Sequence, residues 1–96
     1  MGMATSLTSE QKQALGESHP SWSIEGEEVS RTFQFADFAE AMGFVNRVAL
    51  AAEKADHHPD IDIRWNEVTL VFSTHSAGAL TERDRSMVET IDGWLG

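Results

Sequence analysis

The chain has 96 residues, which suits one domain with a single core, and its 41% apolar and 24% charged residues exclude a disordered protein. Sixteen acidic against seven basic residues give a net charge of −9 without any basic stripe, so nucleic acid and anionic membrane surfaces are not expected partners. Cysteine is absent and no apolar run is long enough for a membrane span; we therefore expect a cytoplasmic protein without disulfides, thiolate nucleophiles or cysteine-bound metal.

The first predicted element is a short helix over residues 8–15. Thr8 is its expected N-cap, Gln11 stands at the capping-box position, and Gly16 is expected to stop it. His19 then precedes a proline, which favours an extended loop, so we expect a solvated side chain without a functional role.

Two strands are predicted next, over residues 22–24 and 27–35. The turn between them is Glu25-Gly26, and the second strand alternates apolar with polar side chains. This alternation predicts a strand with one buried face.

The second helix is predicted to begin after Asp37, with Glu40 bonding back to the amide of this N-cap. It cannot pass far beyond Asp56, because Pro59 disfavours helical backbone at the residue before it. Its expected core stripe is formed by Phe38, Met42, Val45, Val48, Ala49 and Ala52.

A second pair of strands and a third helix complete the chain. The strands are expected to alternate Ile61, Ile63 and Trp65 with polar residues, turn at Asn66-Glu67, and continue through Val68, Leu70 and Phe72. Thr81 and Asp84 repeat the capping-box arrangement. The apolar stripe of the last helix is predicted to be Met87, Val88, Ile91, Trp94 and Leu95.

This order of elements predicts an α+β fold. Short connections favour a hairpin within each strand pair, and helices packed on one face of a mostly antiparallel sheet bury the apolar stripes most simply. We expect one domain over residues 1–96, with residues 1–6 disordered.

Three of the four histidines lie between residues 53 and 84: His57, His58 and His75. An unperturbed imidazole has a pKa of about 6.5 and can give or take a proton near neutral pH. All three stand at helix or strand ends, where catalytic side chains are often placed. Carboxylates that could orient them are Glu53, Asp56 and Asp84.

Three interpretations of these histidines compete. Each could simply satisfy a carbonyl or carboxylate at the end of an element. A metal site is possible in principle, but no H-E-x-x-H, H-x-H or helical i, i+4 pair is present. Acid/base catalysis requires one imidazole to protonate a leaving group and another to remove a proton, and no Ser, Lys or Cys is set up as a nucleophile.

At these residues the chain resembles the pterin-4a-carbinolamine dehydratases. The family pattern corresponds to Glu53, His57-His58-Pro59, Trp65, His75 and Asp84 at their present spacing, with flanking matches from Trp22 to the C-terminus. The resemblance implies a four-stranded antiparallel sheet with helices on one face. It also implies dehydration of 4a-hydroxytetrahydropterin to quinonoid dihydropterin without any metal or organic cofactor.

By this resemblance His57 and His75 are the expected acid/base pair, His58 is mainly a substrate ligand, and Asp84 either orients His75 or only caps the last helix. The substrate-binding set is expected to be His57, His58, Pro59, Thr74, His75 and Ser76, with weaker support for Glu53 and Asp56. A homodimer or homotetramer is expected.

Two other roles remain open. The first is a non-enzymatic dimerisation or regulatory partner, because animal members of the family also act as transcriptional cofactors. The second is a catalyst of another step of pterin or molybdenum-cofactor metabolism. Ile61 stands where animal members of the family have an aromatic residue, and Trp65 is expected to anchor the third strand in the core.

Overall fold

The computed structural model describes residues 5–95. The elements follow the predicted order of helix, two strands, helix, two strands and helix. They are α1 (Ser9–Ser18), β1 (Ser23–Glu25), β2 (Glu28–Gln34), α2 (Phe38–Ala55), β3 (Asp60–Arg64), β4 (Glu67–Phe72) and α3 (Glu82–Leu95).

The strands form one four-stranded antiparallel sheet in the order β1-β2-β4-β3. The two hairpins lie side by side because β2 pairs with β4, with Val29 opposite Phe72 and Phe33 opposite Val68. The α+β prediction is therefore confirmed.

One face of the sheet is buried and the other is polar. Thr32 and Thr69, paired across β2 and β4, share a 2.8 Å hydroxyl hydrogen bond on the polar face. The buried face packs against the helices. Its side chains alternate along the central strands and include Val29, Phe33, Val68, Leu70 and Phe72.

Helix α1 begins as predicted but ends later. Thr8 and Gln11 form the full capping box, with bonds of 3.1 and 2.8 Å. Gly16 does not stop the helix, which continues to Ser18; a glycine costs only about 1 kcal/mol relative to alanine in a helix.

The segment predicted to be disordered is ordered at its end. Residues 1–4 lie outside the described residues. Ser6 forms a β-bridge with Thr81, and the amide of Leu7 donates to the Leu80 carbonyl at 2.8 Å. Leu7 is buried in the core, so burial of this side chain holds the segment in place.

The core stripe of α2 was only partly predicted. Phe38 is 50% exposed in the first turn and Ala49 is also exposed, whereas Phe44 is buried. The Phe44 ring lies 4.6 Å from that of Phe33, so the sheet's aromatic side chains decide which helix face turns inward. Asp37 caps the helix as expected.

The hydrogen-bond partner predicted for the Glu40 side chain is wrong. Its carboxylate accepts from the amide of Ala36 at 3.3 Å and not from that of Asp37. The bond from the Glu40 amide to Asp37 Oδ1, at 2.8 Å, is the one that caps the helix.

Trp65 is not a core anchor. Arg64 pairs with Glu67, so Trp65 and Asn66 form the two-residue loop one position before the predicted turn. Trp65 has φ 52° and is 68% exposed, because the loop projects beyond the sheet. Among residues 5–95, no helix is long and apolar enough to cross a membrane.

Candidate active site

The C-terminus of α2 delivers His57 to the interior. Asp56 adopts the left-handed conformation at φ 52°, and its amide bonds back to Glu53. The amide of His57 donates to the Ala52 carbonyl at 3.0 Å. These two bonds are the pair that defines a Schellman motif. Asp56 therefore acts through its backbone, and the motif turns the next side chain inward.

The imidazole of His57 is only 7% exposed and stacks on Phe72, with ring centroids 6.0 Å apart. Its Nε2 lies 2.6 Å from Oδ1 of Asp84, a fully buried carboxylate. Oδ2 of Asp84 accepts from the Thr74 hydroxyl at 2.8 Å and from the Thr81 amide at 2.9 Å. We call these four residues the His57–Asp84 network.

The network corrects the expected role of Asp84. Its carboxylate orients His57 and not His75, and it also caps α3 through the Thr81 amide, so orientation and capping are combined in one side chain. The link to Thr74 ties the end of β4 to the exit of α2. The sequence placed these segments near one another, but the choice of histidine depends on the turn of the Schellman motif.

The network also determines which nitrogen of His57 is free. A carboxylate only accepts hydrogen bonds, so Nε2 carries the proton donated to Asp84, and in the neutral imidazole the lone pair is then on Nδ1. Within residues 5–95, no buried side-chain nitrogen or oxygen lacks a partner. Nδ1 has no hydrogen-bond partner there, so this nitrogen is not completely enclosed by the protein.

The other predicted site residues are more exposed. Nε2 of His58 lies 2.5 Å from Oε1 of Glu53, so Glu53 does orient a histidine, although both side chains are more than half exposed. His75 is exposed on the loop after β4, beside Ser76, and no carboxylate bonds to it among the described residues. Thr74 is buried, and its hydroxyl already bonds within the network. A ligand would therefore contact the residues beside Thr74 and not the Thr74 side chain.

Two adjoining cavities open beside His57, between α2 and α3. The first, of about 260 Å³, is lined by Ala55, His57, Glu82, Arg83 and Ser86. The second, of about 340 Å³, is lined by Ala51, Lys54, Ala55, Ser86, Met87 and Thr90. We call the two together the α2–α3 groove, since they share Ala55 and Ser86. Sequence reasoning placed Asp84 of α3 at the site but gave no role to Arg83 or Ser86 of the same helix.

His19 is not the solvated residue that was predicted. Its Nδ1 lies 2.6 Å from Oδ2 of Asp92, whose Oδ1 accepts from Trp22 at 2.8 Å and from Arg31 at 3.0 Å. This carboxylate holds the loop after α1, strand β2 and helix α3 together. The contact could not be found from the sequence, since the partners are 73 residues apart.

Metal ligation was the competing interpretation of the histidines. In the part of the chain that the structure describes, no group of three His, Asp or Glu side chains is arranged to hold an ion. The pairing of His57 and of His58 with one carboxylate each suits proton transfer or positioning.

Fold and site together define a small α+β protein in which a buried aspartate–histidine pair borders an open groove. The family model described as pterin 4 alpha carbinolamine dehydratase matches residues 5–94. The chain therefore belongs to the pterin 4 alpha carbinolamine dehydratase family, as the spacing of its histidines indicated.

Similar proteins match this chain over most of its length. A Nocardia farcinica protein, provisionally named a pterin-4-alpha-carbinolamine dehydratase, is 50% identical over 94% of this chain and 96% of its own. One from Chloroflexus aurantiacus, provisionally given the same name, is 52% identical over 80% of this chain and 83% of its own.

Two solved structures share the fold. A transcriptional coactivator/pterin dehydratase from Brucella melitensis superposes with a TM-score of 0.90 at 33% identity, covering 96% of this chain and 100% of that one. A pterin dehydratase-like protein described as a RuBisCO assembly factor in the alpha-carboxysome has a TM-score of 0.62 at 20% identity, covering 78% and 87%, and this likeness concerns the fold alone.

Proposed function

We propose that the protein is a hydro-lyase that converts 4a-hydroxytetrahydropterin to quinonoid dihydropterin and water. The observation that carries the proposal is the buried His57–Asp84 pair, which engages Nε2 and leaves Nδ1 of His57 without a partner among the described residues. Membership of the family and the names of its relatives support the same reaction.

The reaction needs a base for the N5 proton and an acid for the hydroxyl that leaves C4a. In this proposal His57 accepts the N5 proton at Nδ1, and Asp84 stabilises the imidazolium that forms through the bond at Nε2. His75, exposed on the neighbouring loop, protonates the departing hydroxyl, which leaves as water. One proton leaves the substrate and another reaches the hydroxyl, so no oxidant, metal or organic cofactor is required.

His58 is assigned to substrate binding rather than proton transfer. Its pairing with Glu53 lies on the surface, where the charges are solvated and the geometry is weakly held. Pro59 and Ser76 flank the two histidine-bearing segments and would complete the contact with the pterin ring.

Direct measurement of 4a-hydroxytetrahydropterin dehydration tests the assignment. We expect His57→Gln and His75→Gln to lower kcat by about 10²–10⁴-fold, the usual contribution of a general acid or base. His19→Gln is the matched control, since His19 also bonds a carboxylate but stands outside the site. If both site variants turn over as fast as the wild type, the proposal is wrong.

A second candidate function is that of a non-enzymatic dimerisation or regulatory partner. The Brucella relative's name joins coactivator and dehydratase, and several large apolar side chains are exposed here, including Phe38, Leu50, Trp65 and Leu95. Burial of these side chains in a homodimer, a homotetramer or a complex with a protein partner would remove them from water. Absence of turnover together with a stable complex would favour this function over catalysis.

A further inference from the structure

The basic side chains of this acidic protein are mostly neutralised in the fold. Lys12, Arg31, Arg64 and Arg85 each pair with a carboxylate. Arg47 instead lies over the Trp94 ring, 4.2 Å from its centroid. Within residues 5–95, only Lys54 and Arg83 have neither kind of partner. Lys54 and Arg83 are both exposed, so their charges are available to a ligand.

Both of these cations line the α2–α3 groove. Arg83 borders the first cavity beside His57, and Lys54 borders the second. The one carboxylate on the groove wall, Glu82, is held by Arg85 through both of its oxygens. The hydroxyl residues Ser86 and Thr90 add neutral hydrogen-bonding groups along α3. The groove therefore carries a net positive lining in a protein of net charge −9.

The groove borders His57, the residue proposed to act on the pterin. Residues 83–90 of α3 span about 10 Å at 1.5 Å per residue, so the groove runs along this helix for roughly two turns, with Arg83 near His57 and Lys54 in the second cavity. A substrate whose ring meets His57 would direct a side chain of a few bonds along this path.

We propose that the α2–α3 groove is a subsite for an anionic group on the side chain of the pterin substrate, with Arg83 and Lys54 as its positioning residues. The proposal rests on the proposed function, because it needs the ring at His57. A phosphate ester and a carboxylate share the required charge. Arg83 supplies a forked donor set and Lys54 a point charge, which suits either oxyanion.

Binding of three stable 7,8-dihydropterins distinguishes the possibilities. They carry a trihydroxypropyl side chain, the phosphate monoester of that side chain, or a benzoylglutamate side chain with free carboxylates. Calorimetry should show the wild-type protein binding at least one charged ligand about tenfold more tightly than the neutral one, as expected for a charge-assisted hydrogen bond at a partly exposed site. The preference should shrink as salt is raised. Whichever charged ligand is preferred identifies the anion.

Arg83→Gln and Lys54→Gln should each reduce this preference, and the double variant should abolish it. Arg64→Gln is the matched control, because it removes one charge from an exposed residue at the end of β3 that does not line the groove, and it should retain the preference. Equal binding of all three ligands by the wild type, or an unchanged preference in the double variant, overturns the subsite while leaving the dehydratase proposal intact. Failure of every dihydropterin to bind overturns both.

Discussion

Replacement of Asp84 by asparagine removes the negative charge from the His57–Asp84 network and keeps a side chain of nearly the same size. The amide oxygen of the introduced asparagine can still accept from the Thr81 amide and the Thr74 hydroxyl, which bond to the same oxygen in the native protein. The NH₂ group then faces Nε2 of His57, which must become the acceptor. In the neutral ring the proton then moves to Nδ1, so the nitrogen that has no partner in the native protein loses its lone pair.

Two magnitudes follow from this change. Loss of a charge-assisted hydrogen bond should lower the free energy of unfolding by about 1.5–3 kcal/mol, which a domain of typical stability survives. Loss of the general base should lower kcat by about 10²–10⁴-fold. Stopped-flow measurement of 4a-hydroxytetrahydropterin dehydration and urea denaturation give the two values independently.

Asp92→Asn is the matched control for Asp84→Asn. Asp92 lies on the same helix, about 12 Å further along, and also accepts from a histidine. We expect a comparable loss of stability and no loss of kcat. If Asp84→Asn keeps at least half of the wild-type kcat, or if Asp92→Asn loses as much activity, the assignment of the base is refuted.

Three further variants test separate features. His58→Ala should change the free energy of unfolding by less than about 0.5 kcal/mol because its partner pair is exposed, and steady-state kinetics should show a rise in KM larger than the fall in kcat. The hydrogen bond from Lys12 holds the pKa of the Glu27 carboxyl below its ordinary value. Glu27 therefore stabilises the fold above pH ~4.3, and this contribution is lost as the pH falls through the lowered pKa. In denaturant titrations, the difference in the free energy of unfolding between wild type and Glu27→Gln should persist at pH 7 and vanish at acid pH. Trp65→Gly should cost less than about 1 kcal/mol in thermal denaturation, since it relieves left-handed backbone at an exposed position; a loss of about 3 kcal/mol would restore the core-anchor interpretation.

Local features were predictable because they depend on neighbours in the chain. Thr8 and Asp37 cap helices since their side chains reach amides three residues on, and Pro59 limits α2. The strands followed from alternation, and short connections required hairpins. The histidine spacing was enough to indicate the family.

Choices between chemically similar partners were decided by the tertiary structure. The sequence offers Asp84 three histidines, and only the Schellman turn at Asp56, together with the stacking surface of Phe72, brings His57 to it. His19 is joined to Asp92 by packing of elements at opposite ends of the chain. Such contacts leave no periodic trace, because they depend on the relative placement of whole elements.

The sequence by itself predicted one acidic domain and, from the order of its elements, an α+β fold, and the family resemblance at its histidines indicated acid/base chemistry on a pterin. Which nitrogen is free, which carboxylate orients it and where the unpaired cations lie are properties of the packed molecule. Arg83 and Lys54 belong to different helices and acquire a common role only because α2 and α3 form two walls of one groove. Local propensity acts over a few residues, whereas a groove between two helices depends on the packing of the core beneath them.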